Sequence, residues 1–188
     1  EVIATEKAFA AIRDDGTVVT WGAGGGLESA AASEQLYGVE WMAATDSAFA
    51  AVRADGHVIV WGDADSGGNC EAVRPLLQEV RSISGNSQAF VACLASGGAV
   101  TWGSAACGGN SSHVQEQLVN IQEVACSHSA FAALRADGRI ITWGSAAAGG
   151  DCKEVEDQLQ EVHQVVASSK AFAALTAAGP ASRDMGKS

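Results

Sequence analysis

At 188 residues and 47% apolar composition the chain can bury a substantial core, and its two prolines exclude a Pro-rich linker or a collagen-like chain. Its formal net charge of −11, with only 11 Lys and Arg spread along it, argues against a nucleic-acid backbone or an anionic membrane surface as partner. No run approaches the ~18 apolar residues of a membrane span, and no signal peptide opens the chain.

Four signals recur in phase. Trp-Gly pairs stand at Trp21-Gly22, Trp61-Gly62, Trp102-Gly103 and Trp143-Gly144, in steps of 40, 41 and 41. Phe9, Phe49, Phe90, Phe131 and Phe172 each follow an alanine, in steps of 40, 41, 41 and 41. Between them lie turns ending at Gly16, Gly56, Gly97 and Gly138, and after each Trp-Gly comes a second glycine group: Gly24 to Gly26, Gly67-Gly68, Gly108-Gly109 and Gly149-Gly150. A fixed period of this length marks a propeller, a solenoid or an array. The units run about 1–37, 38–78, 79–119 and 120–160, with a partial unit over 161–180. Together they read as one repeat domain, followed by a polar tail at 181–188.

Within the fourth unit, Ile121 to Cys126 reads as a first strand and Phe131 to Leu134 as a second. Arg139 to Trp143 reads as a third, reached through the Asp137-Gly138 hairpin turn, where glycine accepts φ > 0. Both faces of these strands carry apolar or small residues, as layers stacked on both sides require. The stretch that follows changes period. Val73, Leu77 and Val80 stand at i, i+4 and i+7, as do Val114, Leu118 and Ile121, then Val155, Leu159 and Val162, and more weakly Ala32, Leu36 and Val39. This spacing predicts a two-turn helix over 70–78, 112–119 and 152–160. Asp151 with Glu154 reads as its capping box in the last copy, and Pro75 makes the first of these helices the least secure. In the fifth unit Phe172 and Leu175 keep phase, but Ala178-Gly179-Pro180 replaces the turn and no Trp-Gly follows. The chain also opens at Glu1 in mid-repeat. A removed N-terminal stretch, including a cleaved import leader, is one reading of that start.

The five cysteines, Cys70, Cys93, Cys107, Cys126 and Cys152, form no CxxC and no Cys/His pair at finger spacing. Free thiols in a reducing intracellular compartment fit that pattern, with Cys93 a small core residue in the place of Ile12, Val52, Leu134 and Leu175. The sequon at Asn110 matters only in a secreted protein.

The unit Ala-Phe-x-Ala-Leu-x-x-Asp-Gly-x-x-x-x-Trp-Gly, at Ala130 to Gly144, resembles the repeat of the regulator of chromosome condensation family, and the resemblance spans nearly the whole chain. It implies β-propeller repeats; the family builds seven-bladed rings, and it supplies domains to large HECT-type ubiquitin ligases. The chain departs from that pattern: Ala8, Ala48, Ala89, Ala130 and Ala171 stand where the family has His, plain Gly-Gly pairs replace Gly-Gln-Leu-Gly, and the short helix takes the place of a fourth strand. The expected fold is therefore mostly β, three strands and a short helix per unit, in a propeller-like ring or arc, with an open β-solenoid as the alternative.

Several motifs invite chemistry and read better as structure. Gly22 to Gly26 recurs as a loop in the other units, so it is not a dinucleotide fingerprint. Gly186-Lys187-Ser188 lacks the first glycine of a phosphate loop. His57, His113, His128 and His163 occupy four different phases and read as solvated. Glu154, Glu156, Asp157 and Glu161 form a solvated face without calcium-loop spacing. Trp21, Trp61, Trp102 and Trp143 read as buried packing residues at equivalent positions. Trp41 breaks phase, with Ser82, Glu123 and Gln164 in its place, and is a candidate contact residue. No catalytic residue, cofactor or metal site is expected. The function expected is a non-catalytic protein-interaction or scaffold subunit of a larger assembly, with protein partners. Guanine-nucleotide exchange on a small GTPase, implied by the resemblance, and an enzyme with a loop-assembled site are the alternatives.

Overall fold

The structure, a computed structural model, describes residues 1–23 and 34–176. The expected helix around Ala32, the second glycines of the first unit, and everything after Thr176 lie outside them.

Among the described residues fourteen strands form five small antiparallel sheets in tandem. The first holds β1 (Val2–Ala4), β2 (Ala8–Ile12) and β3 (Val18–Gly22); the second β4 (Val39–Ala44), β5 (Ala48–Arg53) and β6 (Val58–Gly62). The third holds β7 (Val80–Gly85), β8 (Ala89–Leu94) and β9 (Ala99–Gly103); the fourth β10 (Ile121–Cys126), β11 (Ala130–Arg135) and β12 (Ile140–Gly144). The fifth has two strands among the described residues, β13 (Val162–Ala167) and β14 (Phe172–Thr176). Each is a meander of neighbours in sequence. The chain is thus mostly β and repeats as its period requires.

The second hairpin of each of the first four sheets is set by local chemistry. In the second sheet Arg53 N donates to His57 O at 3.0 Å and Gly56 N to Arg53 O at 2.8 Å. The three intervening residues turn back with Gly56 left-handed, at φ 81°. The Arg53 guanidinium clasps Asp55 at 2.6 Å across that turn, and Arg135 clasps Asp137 at 2.9 Å in the equivalent one. The first strands of the second to fifth sheets carry a bulge one residue in, at Glu40, Arg81, Gln122 and His163.

Alternation then builds the layers. In β5, Phe49 and Ala51 face back onto the first sheet, while Ala48, Ala50 and Val52 face forward onto the third. Four buried clusters result, one between each adjacent pair of sheets. The first strands of neighbouring sheets run beside one another on the inside of the row. The row is open: among the described residues the fifth sheet does not return to the first.

The expected two-turn helices are shorter and tighter than their spacing suggested. The segments hold 3-10 turns at Arg74–Leu76, Gln115–Gln117 and Lys153–Gln158. Their anchors Leu77 and Leu118 are buried, as are Val80's equivalents Ile121 and Val162, but Val155 is exposed. The apolar residues hold the segment to the core at its end, where the chain enters the next strand, and no α-helix forms. Asp151 makes no capping box; its carboxylate accepts from Lys153 N at 3.1 Å, two residues on. Pro75 sits in the first turn of its segment, where its missing N–H costs nothing. No helix among the described residues is long and apolar enough to cross a membrane.

Candidate interaction surfaces

The recurrent aromatic pair is the centre of three of the four sheet-to-sheet junctions. Cross-strand register places Phe9 opposite Trp21, Phe49 opposite Trp61, Phe90 opposite Trp102 and Phe131 opposite Trp143. All four pairs stack, with ring centroids 5.2–5.4 Å apart. A tight turn of the preceding unit lies against the stack. Trp102 Nε1 donates to Gly67 O and Trp143 Nε1 to Gly108 O, each at 3.0 Å. Trp61 Nε1 has no acceptor among the described residues, and the position in phase with Gly67, Gly26, lies outside them. Trp61, Trp102 and Trp143 are buried as expected, but Trp21 is 48% exposed and Phe9 45%. The reason is positional: among the described residues no sheet covers the outer face of the first one.

A second recurrent contact escaped the sequence reading. Thr5, Thr45, Asn86, Ser127 and Ser168 stand in phase just after each first strand. Each side chain accepts from a backbone N–H three residues on: Ala8, Ala48, Ala89, Ala130 and Ala171. Three also reach across to the tight turn of their own unit. Thr45 Oγ1 donates to Ser66 O at 3.0 Å, Asn86 Nδ2 to Cys107 O at 2.7 Å and Ser127 Oγ to Ala148 O at 2.8 Å. Thr, Asn and Ser differ in type, so only their common spacing of 40 to 41 residues could have revealed them.

The loops that these residues anchor form a relay along one side of the row, from the first sheet to the fifth. Glu6 N donates to Asp46 O, Asp46 N to Ser87 O, Ser87 N to His128 O and His128 N to Ser169 O, at 2.9–3.1 Å. Partial burial raises the Asp46 carboxyl above its usual range, the Glu6 carboxylate adds to the rise, and His128 opposes it. His128 thus belongs to a repeated backbone position after all, although its side chain is not repeated.

The other residues singled out from the sequence are scattered. Trp41 is partly buried against the cluster between the second and third sheets. His57 is exposed and lies 3.1 Å from Asp55. His113 lines a shallow groove of about 290 Å³ with Asp151, Lys153 and Glu156. The equivalent groove one unit earlier, of about 760 Å³, lies between Asp65, Asn69 and Glu71 on one side and Thr101 to Ala105 on the other. All five thiols are free. Burial raises those of Cys70 and Cys93 and pushes Cys126 up to about 12, which leaves these three poor nucleophiles. Among the described residues no group of three or more His, Cys, Asp or Glu could hold a metal ion.

No protein-family model matches the sequence, and no curated protein matches it either. The fold is another matter. Yeast RCC1 (Prp20), solved with Kap60 bound to it, superposes with a TM-score of 0.62 at 15% identity, over 94% of this chain and 53% of that one. A second structure, of Prp20p from Saccharomyces cerevisiae, gives 0.61 at 15%, over 94% and 55%. Human WBSCR16 gives 0.56 at 16%, over 95% and 57%. The chain therefore has an RCC1-like β-repeat fold and spans about half the length of these neighbours.

Proposed function

We propose that this chain is a non-catalytic protein-interaction module, a scaffold of β-repeats that works inside a larger assembly. The observation that carries this reading is where its uncovered apolar surface lies. Five of the nine exposed large hydrophobic side chains among the described residues sit on the first and last sheets: Val2, Phe9 and Trp21 at one end, Val166 and Leu175 at the other. The equivalents of Phe9, Trp21 and Leu175 inside the row are core residues. Phe49, Phe90 and Phe131 are at most 1% exposed, and Leu134, in phase with Leu175, is 2% exposed. Among the described residues, the outer faces of the first and fifth sheets thus resemble faces that the row buries internally, and exposed apolar surface of this kind marks a contact site. The neighbours support the same class of role: Kap60 binds yeast RCC1, and Prp20p is described with binding properties to Gsp1p and histones.

The test is cross-linking of the native protein in cell extract, purification of the adducts and identification of what they contain. A stoichiometric protein partner is expected. A protein that migrates by itself at the mass of its own chain sinks the reading. Accelerated nucleotide release from a small GTPase would replace it with a regulatory function.

A further inference from the structure

The third strand of each of the first four sheets is an outer edge. In the fourth sheet Arg135 N donates to Arg139 O and Ser145 N to Ser129 O, each at 2.9 Å, so these pairs bond across the hairpin. Alternation along an antiparallel ladder then turns the N–H and C=O of Ile141 and Trp143 toward β11, and those of Ile140 and Thr142 outward. Neighbouring sheets do not supply a strand at such an edge. The second and third sheets, which have a sheet on either side, also end at their third strands, β6 and β9. A further unit of the same kind would therefore leave the edge of β12 bare.

In the third unit the chain's own side chains close the space beside this edge. Thr101 Oγ1 donates to Ser111 Oγ at 3.0 Å, Ser111 Oγ to Gln115 Oε1 at 2.9 Å, and Gln115 Nε2 to Ala99 O at 2.9 Å. This strut ties the segment after β9 to an outward carbonyl of its edge, and Thr101 is buried. The fourth unit keeps Thr142 in the phase of Thr101 but has Cys152 for Ser111 and Glu156 for Gln115. A carboxylate cannot donate to Ile140 O as the Gln115 amide donates to Ala99 O. The strut is missing: among the described residues the Thr142 hydroxyl and the Glu156 carboxylate make no hydrogen bond or ion pair, and Thr142 is only partly buried. The groove of about 290 Å³ opens there instead, lined by Ile140, Thr142 and Glu156. Lys153 also lines it but pairs with no carboxylate among the described residues.

We infer that the outer edge of β12 takes up an extended, basic segment of a partner protein. The segment adds as a fourth strand and exchanges main-chain hydrogen bonds with Ile140 and Thr142, while its Lys or Arg pairs with Glu156. The unpaired edge specifies an extended backbone, and the unpaired carboxylate specifies the charge. The net charge of −11 favours a basic segment at longer range. The inference rests on the interaction-module reading and names the chemistry of one partner segment.

The probe is the peptide acetyl-Thr-Val-Lys-Val-Thr-amide, titrated against the full 188-residue protein, isotope-labelled for NMR. Binding is read from the amide shifts of Ile140 and Thr142, with those of Ala99 and Thr101 as the internal control. Saturable shifts confined to the β12 edge are expected. Norleucine in place of the peptide's lysine weakens binding about fivefold, the upper range of an exposed ion pair. N-methylation of the Val-Lys-Val amides abolishes it. Cys152→Ser with Glu156→Gln rebuilds the strut from residues that the third unit already accommodates, so this variant folds and no longer binds. Absence of saturation at ~10 mM peptide overturns the inference. Equal binding of the norleucine or the N-methylated peptide does so too, as does binding that survives the double substitution. Slow hydrogen exchange of the Thr142 amide in the free protein would mean that the chain covers its own edge, and overturns it as well. If a protein partner is still captured from extract after such a result, the interaction module stands and only docking at β12 falls.

Discussion

Replacing Gly108 by alanine separates backbone strain from packing at a sheet junction. Gly108 sits at φ 92°, so any side chain there costs about 1–2 kcal/mol in backbone conformation. The added methyl would also stand 2.8 Å from Phe131 Cδ2, 3.1 Å from Cε2 and 3.2 Å from Trp143 Cδ1, all inside a cluster where Phe131 and Trp143 are 0% exposed. Relief of such overpacking costs about 1–3 kcal/mol. If the turn shifts, the 3.0 Å bond from Trp143 Nε1 lengthens and about 1 kcal/mol more is lost. The sum is about 3–6 kcal/mol. Gly56 supplies the control: it has φ 81° but nothing within 4 Å of the added methyl, so Gly56→Ala carries the backbone cost alone. Urea unfolding followed by tryptophan fluorescence measures both. Gly108→Ala should lose about 2–4 kcal/mol more than Gly56→Ala, a shift of about 1 M in midpoint at the slope usual for a chain of this size. Equal losses from the two substitutions would refute the claim that the glycine–aromatic contact holds adjacent sheets together.

Asn86→Ala should cost about 2–3 kcal/mol in the same assay, because it strands Cys107 O and the Ala89 N–H, whereas Asn86→Ser, the residue of the fourth and fifth units, should cost about half as much. Glu161 is exposed and left-handed at φ 52°, so Glu161→Asn, which copies Asn120 at the equivalent position, should raise stability by about 0.5 kcal/mol in urea unfolding. Iodoacetamide at pH 8, followed by mass spectrometry, should leave Cys126 unmodified in the folded protein and modify it once urea unfolds the chain. The folded Asp46 carboxyl titrates above its unfolded value of 3.8, so its contribution to stability is fully present below that value and is lost as pH rises through the folded pKa. Asp46→Asn should therefore flatten the fall in unfolding midpoint over the acidic range above 3.8, and a fall as steep as in the parent chain counts against that assignment.

Much of the fold is legible because its strands obey a two-residue alternation tied to rigid markers. Phe131, Asp137-Gly138 and Trp143 fix β11 and β12 to within a residue, since glycine at the left-handed turn position and an aromatic pair across the hairpin leave one register. The segments after Trp-Gly are harder to read. Val114 and Leu118 keep a helical spacing, yet both are held to the core in a turn too short to be an α-helix, so period alone does not give length. Trp21 shows another limit. Its sequence context matches Trp61, Trp102 and Trp143, and only the neighbour that should cover it differs. A residue's own unit cannot reveal that. The Thr/Asn/Ser contact was hidden for the opposite reason: three residue types serve one geometric purpose, an acceptor for a backbone N–H three positions on, and no single letter marks it.

The location of the four buried clusters has a consequence for how such a chain can change over generations. Each cluster is built by two adjacent sheets and by no others. The forward-facing residues of the second sheet, Ala48, Ala50 and Val52, are as small and apolar as Ala89, Val91 and Cys93 of the third save at one position, where Val91 is larger than Ala50. Excision or duplication of one whole unit would therefore rejoin surfaces that already fit, and the altered chain would inherit a working core at the new seam. Duplications out of phase would set a forward face against a turn and be lost. The number of units is in this sense a heritable quantity that varies in whole steps, while the content of a unit is held nearly fixed by its two neighbours.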